Sequence, residues 1–358
     1  MMSKRSSGPA AGGDVPLYVD LTRVRSAAES FGFHYLEGEQ RLVFPWNNHV
    51  LIVRIDDDTP PTLLFEAELR ERLSFSEIAT TAQSINEWNH ERLGPTASLR
   101  VNDDGEVEIH SRTCVLIDEG LSDEQLSEHI RLGIETTILF VRELLGDHPD
   151  LETGAEGTDE LDKRRGQQDL AAMMEHRAAE KRRSAEDNAM PMHAETDTTE
   201  WADQVDEDDF RGDAQSPTEV TVDRVRAALS DLGITKTTGE DEALIAWING
   251  VLFGFFIDNG PSYLVKGHWD PGLDPDGDFL RVFLLCNDWN EETLTTKAYT
   301  HTDDDGLQVR VEFTVAVSAG LNDAQLEHNT AVAINHILHA VDTISTDATG
   351  VSAVEWPN

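Results

Sequence analysis

The chain has 358 residues, with 28 Lys plus Arg against 69 Asp plus Glu and a formal net charge of −41. That balance argues against neutralising a phosphate backbone or docking on an anionic leaflet, so neither nucleic acid nor membrane is an expected partner. Two cysteines, Cys114 and Cys286, are too few for a disulfide framework; with no apolar h-region behind the basic start, the expected location is cytoplasmic.

Residues 1–16 read as a disordered start. From Arg23 to Phe33, Val24, Ala27, Ala28 and Phe31 recur at helical spacing, and Gly32 ends the helix. Arg41 to Trp46 and Val50 to Ile55 are apolar runs around a short polar turn, and Leu63 to Ala67 makes a third strand. Ile78, Ala82, Ile85 and Trp88 then mark a helix, with Ser74 and Ser76 as cap candidates. Ala97 to Val101 and Val107 to Ile117 flank Asp103-Asp104-Gly105 as a second hairpin, and Ser122 with Gln125 resembles a capping box before a long helix from Asp123 to Leu145. Residues 149–217 form an acidic spacer. Within it, 160–187 reads as a charged helix with basic clusters at Lys163, Arg164, Arg165 and at Lys181, Arg182, Arg183, and 190–217 is expected to be disordered.

The same order then returns. Arg224-Val225-Arg226 and Gly233 repeat Arg23-Val24-Arg25 and Gly32 at a distance of 201 positions. At that offset Trp247 falls on Trp46, Pro261 on Pro60, Asn287 on Asn86, and Trp289-Asn290 on Trp88-Asn89. Asp304-Asp305-Gly306 falls on Asp103-Asp104-Gly105, and the Gly320-Leu321 segment through Gln325-Leu326 repeats Gly120-Leu121 through Gln125-Leu126 one position out of step. The apolar run Ala243 to Ile257, cut by Asn249-Gly250, reads as a strand hairpin and is too short to span a bilayer. A single offset held across Trp, Gly and Pro marks a duplication, with one domain at 17–148, a second at 218–346 and a tail at 347–358. The predicted class is α+β. Each copy runs α-β-β-β-α-β-β-α, an antiparallel sheet with helices packed on it.

These landmarks resemble the YbjN domain family, whose fold is similar to that of class I type III secretion chaperones. The resemblance rests on Trp88-Asn89 and Trp289-Asn290 at a helix end, the Asp-Asp-Gly hairpin, and the Gly-Leu-x-Asp-x-Gln-Leu opening of the last helix. Both copies carry all three. The acidic spacer departs from the family pattern, as does the segment from Gly267 to Gly277, which replaces the edge of the third strand in copy two. The resemblance implies a chaperone-like protein, or a regulator in stress or sensory responses, with no catalysis attached.

No catalytic, cofactor or metal site is expected. Asp274, Asp276 and Asp278 alternate as calcium ligands would, but the EF-hand pattern fails at Phe279 and Leu285, and Pro and Gly make 270–278 a plain loop. Cys114 and Cys286 lie in apolar runs at non-equivalent places, as core residues do. His336 and His339 share a helix face with His328 nearby, without a third ligand beside them. Trp46, Trp88, Trp247 and Trp289 read as core landmarks because they are duplicated, together with Asn89, Gly105, Asn290 and Gly306. Trp201 and Phe210, set in an acidic segment, are the candidate partner-docking residues.

The expected function is that of a non-enzymatic chaperone-like or adaptor protein. Its two domains would replace a homodimer as an intramolecular pseudo-dimer and bind a protein client by strand addition, the acidic surface steering basic segments. The alternative is a sensory or regulatory module binding a small ligand or a signalling protein.

Overall fold

Alternating burial organises each copy around one antiparallel sheet. The computed structural model describes residues 15–38, 40–57, 60–151, 215–239, 243–258, 261–303 and 306–357. The spacer helix with its basic clusters, Trp201, Phe210 and the Asp304-Asp305 pair lie outside the described residues. Copy one runs α1 (Leu21–Ser30), β1 (Leu36–Glu37), β2 (Arg41–Pro45), β3 (His49–Asp56), β4 (Thr62–Leu69), β5 (Leu73–Ser74), α2 (Ile78–Glu91), β6 (Thr96–Val101), β7 (Glu106–Leu116) and α3 (Asp123–Asp147). Copy two runs α4 (Val222–Asp231), β8 (Ala243–Ile248), β9 (Val251–Asp258), β10 (Ser262–Leu273), α5 (Pro275–Glu292), β11 (Lys297–Asp303), β12 (Gly306–Ala316) and α6 (Asp323–Thr349). The second sheet has the order β11-β12-β10-β9-β8, and β6-β7-β4-β3-β2 is its counterpart in the first.

Repeated residues have repeated duties. Arg23 donates to the carbonyls of Leu17, Tyr18 and Leu121 and pairs with Asp123, which ties the first helix to the last. Arg224 does the same with Thr218, Glu219, Leu321 and Asp323. Gly105, with φ of +76°, closes the hairpin between β6 and β7 where a side chain would be strained. Its counterpart Gly306 has φ of +118°.

Helix α3 lies so close to its sheet that a Cβ on Gly133 would stand 2.6 Å from the Phe65 ring. In copy two Ala333 and Val265 stand at the equivalent positions, both buried in one core cluster, and the tight spot is Gly267, whose Cβ would meet Ile337 at 2.2 Å. Volume is thus exchanged across one helix–sheet contact. Gly133→Ala is therefore expected to cost about 1–3 kcal/mol, as overpacking does, and adding Phe65→Val to restore most of it. Urea denaturation of both variants tests this; an unperturbed single variant would show that the helix has room to move.

Three expectations need correcting. Trp247 is not in the core: it is 71% exposed, whereas Trp46 is buried. Phe44 and Trp46 point inward from copy one, but in β8 the buried residues are Leu244 and Ala246, so Ile248 takes the place of Trp46. A strand's side chains alternate, and a shift of one residue sends a whole set to the other face. Asn249, with φ of +48°, and Gly250, with φ of +82°, form the turn that sets this register. Second, residues 270–278 are not a plain loop. β10 continues through Leu273, paired with Leu307 after a bulge, and Pro275 opens α5 directly. Third, the ends of the domains pack: Val15 is buried, Leu17 bridges Leu121, and Val354 returns to the core of copy two.

The copies also dock on each other through reciprocal contacts. Asn86 on α2 accepts from Thr300 N–H at 2.8 Å and donates to its carbonyl at 3.0 Å, while Asn287 on α5 grips both backbone groups of Leu99 at 2.8 Å. Each asparagine amide thus satisfies the bare edge of the other copy's strand, β11 or β6. Gln125 and Gln325 cap their own helices and hydrogen-bond to each other and to the carbonyls of Gly320 and Gly120. Phe283 of α5 lies in the same apolar cluster as Ile85, Leu99 and Phe140 of copy one. Such self-complementary pairing is the pattern of a two-fold interface.

Candidate functional site

The asparagine–tryptophan pair at the end of α2 builds one wall of a cavity. Asn89 holds Ala97 by its N–H and carbonyl at 2.9 and 2.8 Å, fixing α2 against its own β6, and Asn290 holds Ala298 in the same way. Trp88, buried beside them, donates from Nε1 to the Pro95 carbonyl at 2.8 Å and leans on Phe140 of α3 at 5.0 Å. Its other side faces a cavity of about 510 Å³. Copy one supplies α2, α3 and β7 to this space, and copy two closes it with Ser262 of β10 and Thr314 to Ala316 of β12.

Most of the lining is apolar, as ligand sites usually are, with a few polar groups. His129 of α3 is buried and makes no hydrogen bond to any described residue. Burial pushes its pKa down to about 4, so the imidazole is neutral near pH 7. Cys114, half-buried in the wall, is pushed up to about 12, chiefly by burial, and is an inert thiol. At the rim Arg92 pairs with Glu143 at 3.1 Å and lies 5.7 Å over the Trp88 ring. Arg142 also lines the rim.

A second cavity, of about 420 Å³, occupies the related place in copy two, beside Trp289, His336 and His339 and closed by Pro60 and Thr62 of copy one. Trp289 is half-buried and donates to Thr296 at 3.0 Å. His336 bonds to Thr295, and His339 lies against the Trp356 ring at 5.0 Å, tilted by 39°. His328 is directed elsewhere: its Nε2 lies 2.8 Å from Asp118 of copy one, with Glu119 adjacent. Among the described residues, those three place one ligand atom each within 4.8 Å of one another. Asp274 and Asp278 instead cap α5, and Asp278 pairs with Arg281 at 2.8 Å.

Histidines give the stability a signed dependence on pH. His49, stacked on Trp46, and His129 are both held near pKa 4, below the ordinary 6.5, by burial. The unfolded chain binds their protons first, so stability is whole above pH 6.5 and falls as pH drops toward 4, by about 3 kcal/mol per histidine. His328 runs the other way. Burial lowers its pKa, but the hydrogen bond and charge of Asp118 with Glu119 outweigh it, so its contribution is full at low pH and fades as pH rises through its folded value. Urea titrations from pH 7.5 to 4 of the intact chain and His49→Phe are expected to show the acid loss, reduced in the variant; parallel curves would place the titrating group elsewhere.

Sequence reasoning missed the cavity, because its walls come from residues some 200 positions apart and His129 reads as an ordinary polar residue of a long helix. The duplicated tryptophans were the available signal. Comparison with known proteins gives a consistent family. The family model for YbjN, "Putative bacterial sensory transduction regulator", matches residues 20–146 and 221–345. Among solved structures, the crystal structure of YbjN, "a putative transcription regulator from E. coli", is 21% identical; the match covers 37% of this chain and 96% of that chain, with a TM-score of 0.32. No curated protein matches the chain. No helix among the described residues is long and apolar enough to cross a membrane. With both α+β copies matched over nearly their whole length, the chain belongs to the YbjN family and carries its domain twice.

Proposed function

We propose that the chain is a non-enzymatic regulatory module that takes a small ligand into the cavity between its two copies. The observation that carries this reading is the cavity of about 510 Å³ with walls from both copies, a size within the usual range of ligand sites. A ligand there touches α2 and α3 of copy one and the β10–β12 edge of copy two at once, so its binding energy favours one arrangement of the copies. The family description as a sensory transduction regulator supports the same class. The Cys114 thiol, made inert by burial, supports a binding role over a catalytic one.

Native mass spectrometry of the gently isolated full chain tests this. One drug-sized molecule per chain is expected, lost when Thr136→Trp fills the cavity. A bound molecule retained at full occupancy by Thr136→Trp would place the site elsewhere, and an empty wild-type chain that no small molecule stabilises would end the reading.

A second reading, the adaptor, is favoured by one observation. β8 is the outer strand of its sheet, and Ile245 and Trp247 stand exposed on its outward face at 44% and 71%. Thr238 already pairs with both backbone groups of Ile245, at 2.9 and 2.7 Å, so a client strand at β8 would displace that bridge and cover both side chains. Capture of a defined client by the wild type, lost in Trp247→Ala and kept in Thr136→Trp, would favour it over the ligand reading.

A further inference from the structure

The two cavities differ in chemistry, and the difference identifies a ligand class. Around the larger one stand Arg92, His129 and Arg142; the related positions in copy two carry Thr293, Asn329 and Asp342. Arg92 is already matched by Glu143. Arg142 is not: it makes no ion pair or hydrogen bond to a described residue, in a chain with 69 acidic against 28 basic residues. A guanidinium left without a carboxylate in so acidic a protein, at the mouth of an apolar space, is set to receive one from outside. Behind it the wall is Trp88, Leu132, Leu139 and Val315, and buried His129 offers a neutral imidazole with both nitrogens unmatched.

We propose that the larger cavity binds a small amphipathic organic carboxylate. Its apolar body lies against Trp88 and the leucines, its carboxylate meets Arg142 at the rim, and a polar substituent along the body meets His129. The smaller cavity lacks the arginines and takes no such anion, so the stoichiometry is one per chain. This inference rests on the ligand-binding reading above and adds the sign of the charge. The net charge of −41 does not forbid it, because salt screens distant charges over ~8 Å while the arginine contact is direct.

Decanoate and decan-1-ol, which share an apolar chain and differ in charge, are the probes. Calorimetric titration into the full chain at pH 7.5, below the aggregation threshold of either probe, is expected to show one decanoate bound, about tenfold tighter than the alcohol. Arg142→Gln, a change at an exposed position, is expected to erase that preference while the alcohol still binds, and Thr136→Trp to abolish both. Equal affinities in the wild type, or an undiminished preference in Arg142→Gln, would overturn the carboxylate inference and leave the cavity reading standing. Binding of neither probe, or binding of both unchanged by Thr136→Trp, would overturn the two together.

Discussion

Replacing Glu312 by alanine is expected to lower stability by about 3–5 kcal/mol, because it leaves a buried ammonium without its counter-charge. Glu312 on β12 and Lys297 on β11 are each 3% exposed. The carboxylate lies 2.6 Å from Lys266 Nζ and 3.2 Å from Lys297 Nζ and accepts from the Tyr299 hydroxyl at 2.5 Å. Burial alone would raise its pKa, but the two ammonium groups hold it below the usual carboxylate range. Burial in turn lowers the pKa of Lys297, against the pull of Glu312. Lys297 also donates across the interface to the Arg92 carbonyl, so the loss reaches copy one. Changing Glu312→Leu together with Lys297→Met is expected to recover part of the stability, since the ammonium that remains, Lys266, is 30% exposed and reaches water, while the Tyr299 hydroxyl still lacks its acceptor. Urea denaturation measures both; a single variant within ~0.5 kcal/mol of the wild type would mean that water reaches the pair.

Copy one solves the same place with the charges exchanged. Arg112 stands opposite Glu66 in the β4–β7 ladder where Glu312 stands opposite Lys266 in copy two. Arg112 reaches across to the carbonyls of Asn290 and Thr293, the second at 2.7 Å.

The tryptophans give the second large effect, and a contrast. Trp88→Ala is expected to cost about 3–5 kcal/mol, since it removes a buried ring and its bond to the Pro95 carbonyl. Trp247→Ala, at 71% exposure, is expected to stay within ~0.5 kcal/mol. Thermal and urea unfolding of the two variants separate these outcomes. A large loss in Trp247→Ala would show that something covers the outer face of β8.

What was legible in the sequence follows physical lines. Helix and strand order came through because each copy keeps clean periodicities and strong punctuation, such as Gly105 and Asn249-Gly250, and because two readings of one fold check each other. Register in the β8–β9 hairpin was not legible. Trp247 aligns with Trp46 by residue type, yet a two-residue turn beginning one position later reverses the face. Glu312 and Lys297 sit in alternating strands where a charge normally marks solvent, and only the other copy makes that face an interior. Asn86 and Asn287 were seen as repeated letters; their duty of holding a strand edge 200 residues away needed the docked copies. The cavity depends on the same docking, and so does His129 as a polar group without a partner.

Docking of the copies through the asparagine amides is the central claim, and backbone hydrogen exchange at Leu99 and Thr300 tests it most directly. Each N–H points off a strand edge to an amide oxygen of the other copy, Leu99 to Asn287 and Thr300 to Asn86, both at 2.8 Å. In the intact chain both amides are expected to exchange slowly, with Asn287→Ala accelerating Leu99 and Asn86→Ala accelerating Thr300. Fast exchange of both amides in the wild type, unchanged by either substitution, would mean that the copies stand apart and that the cavity between them does not form.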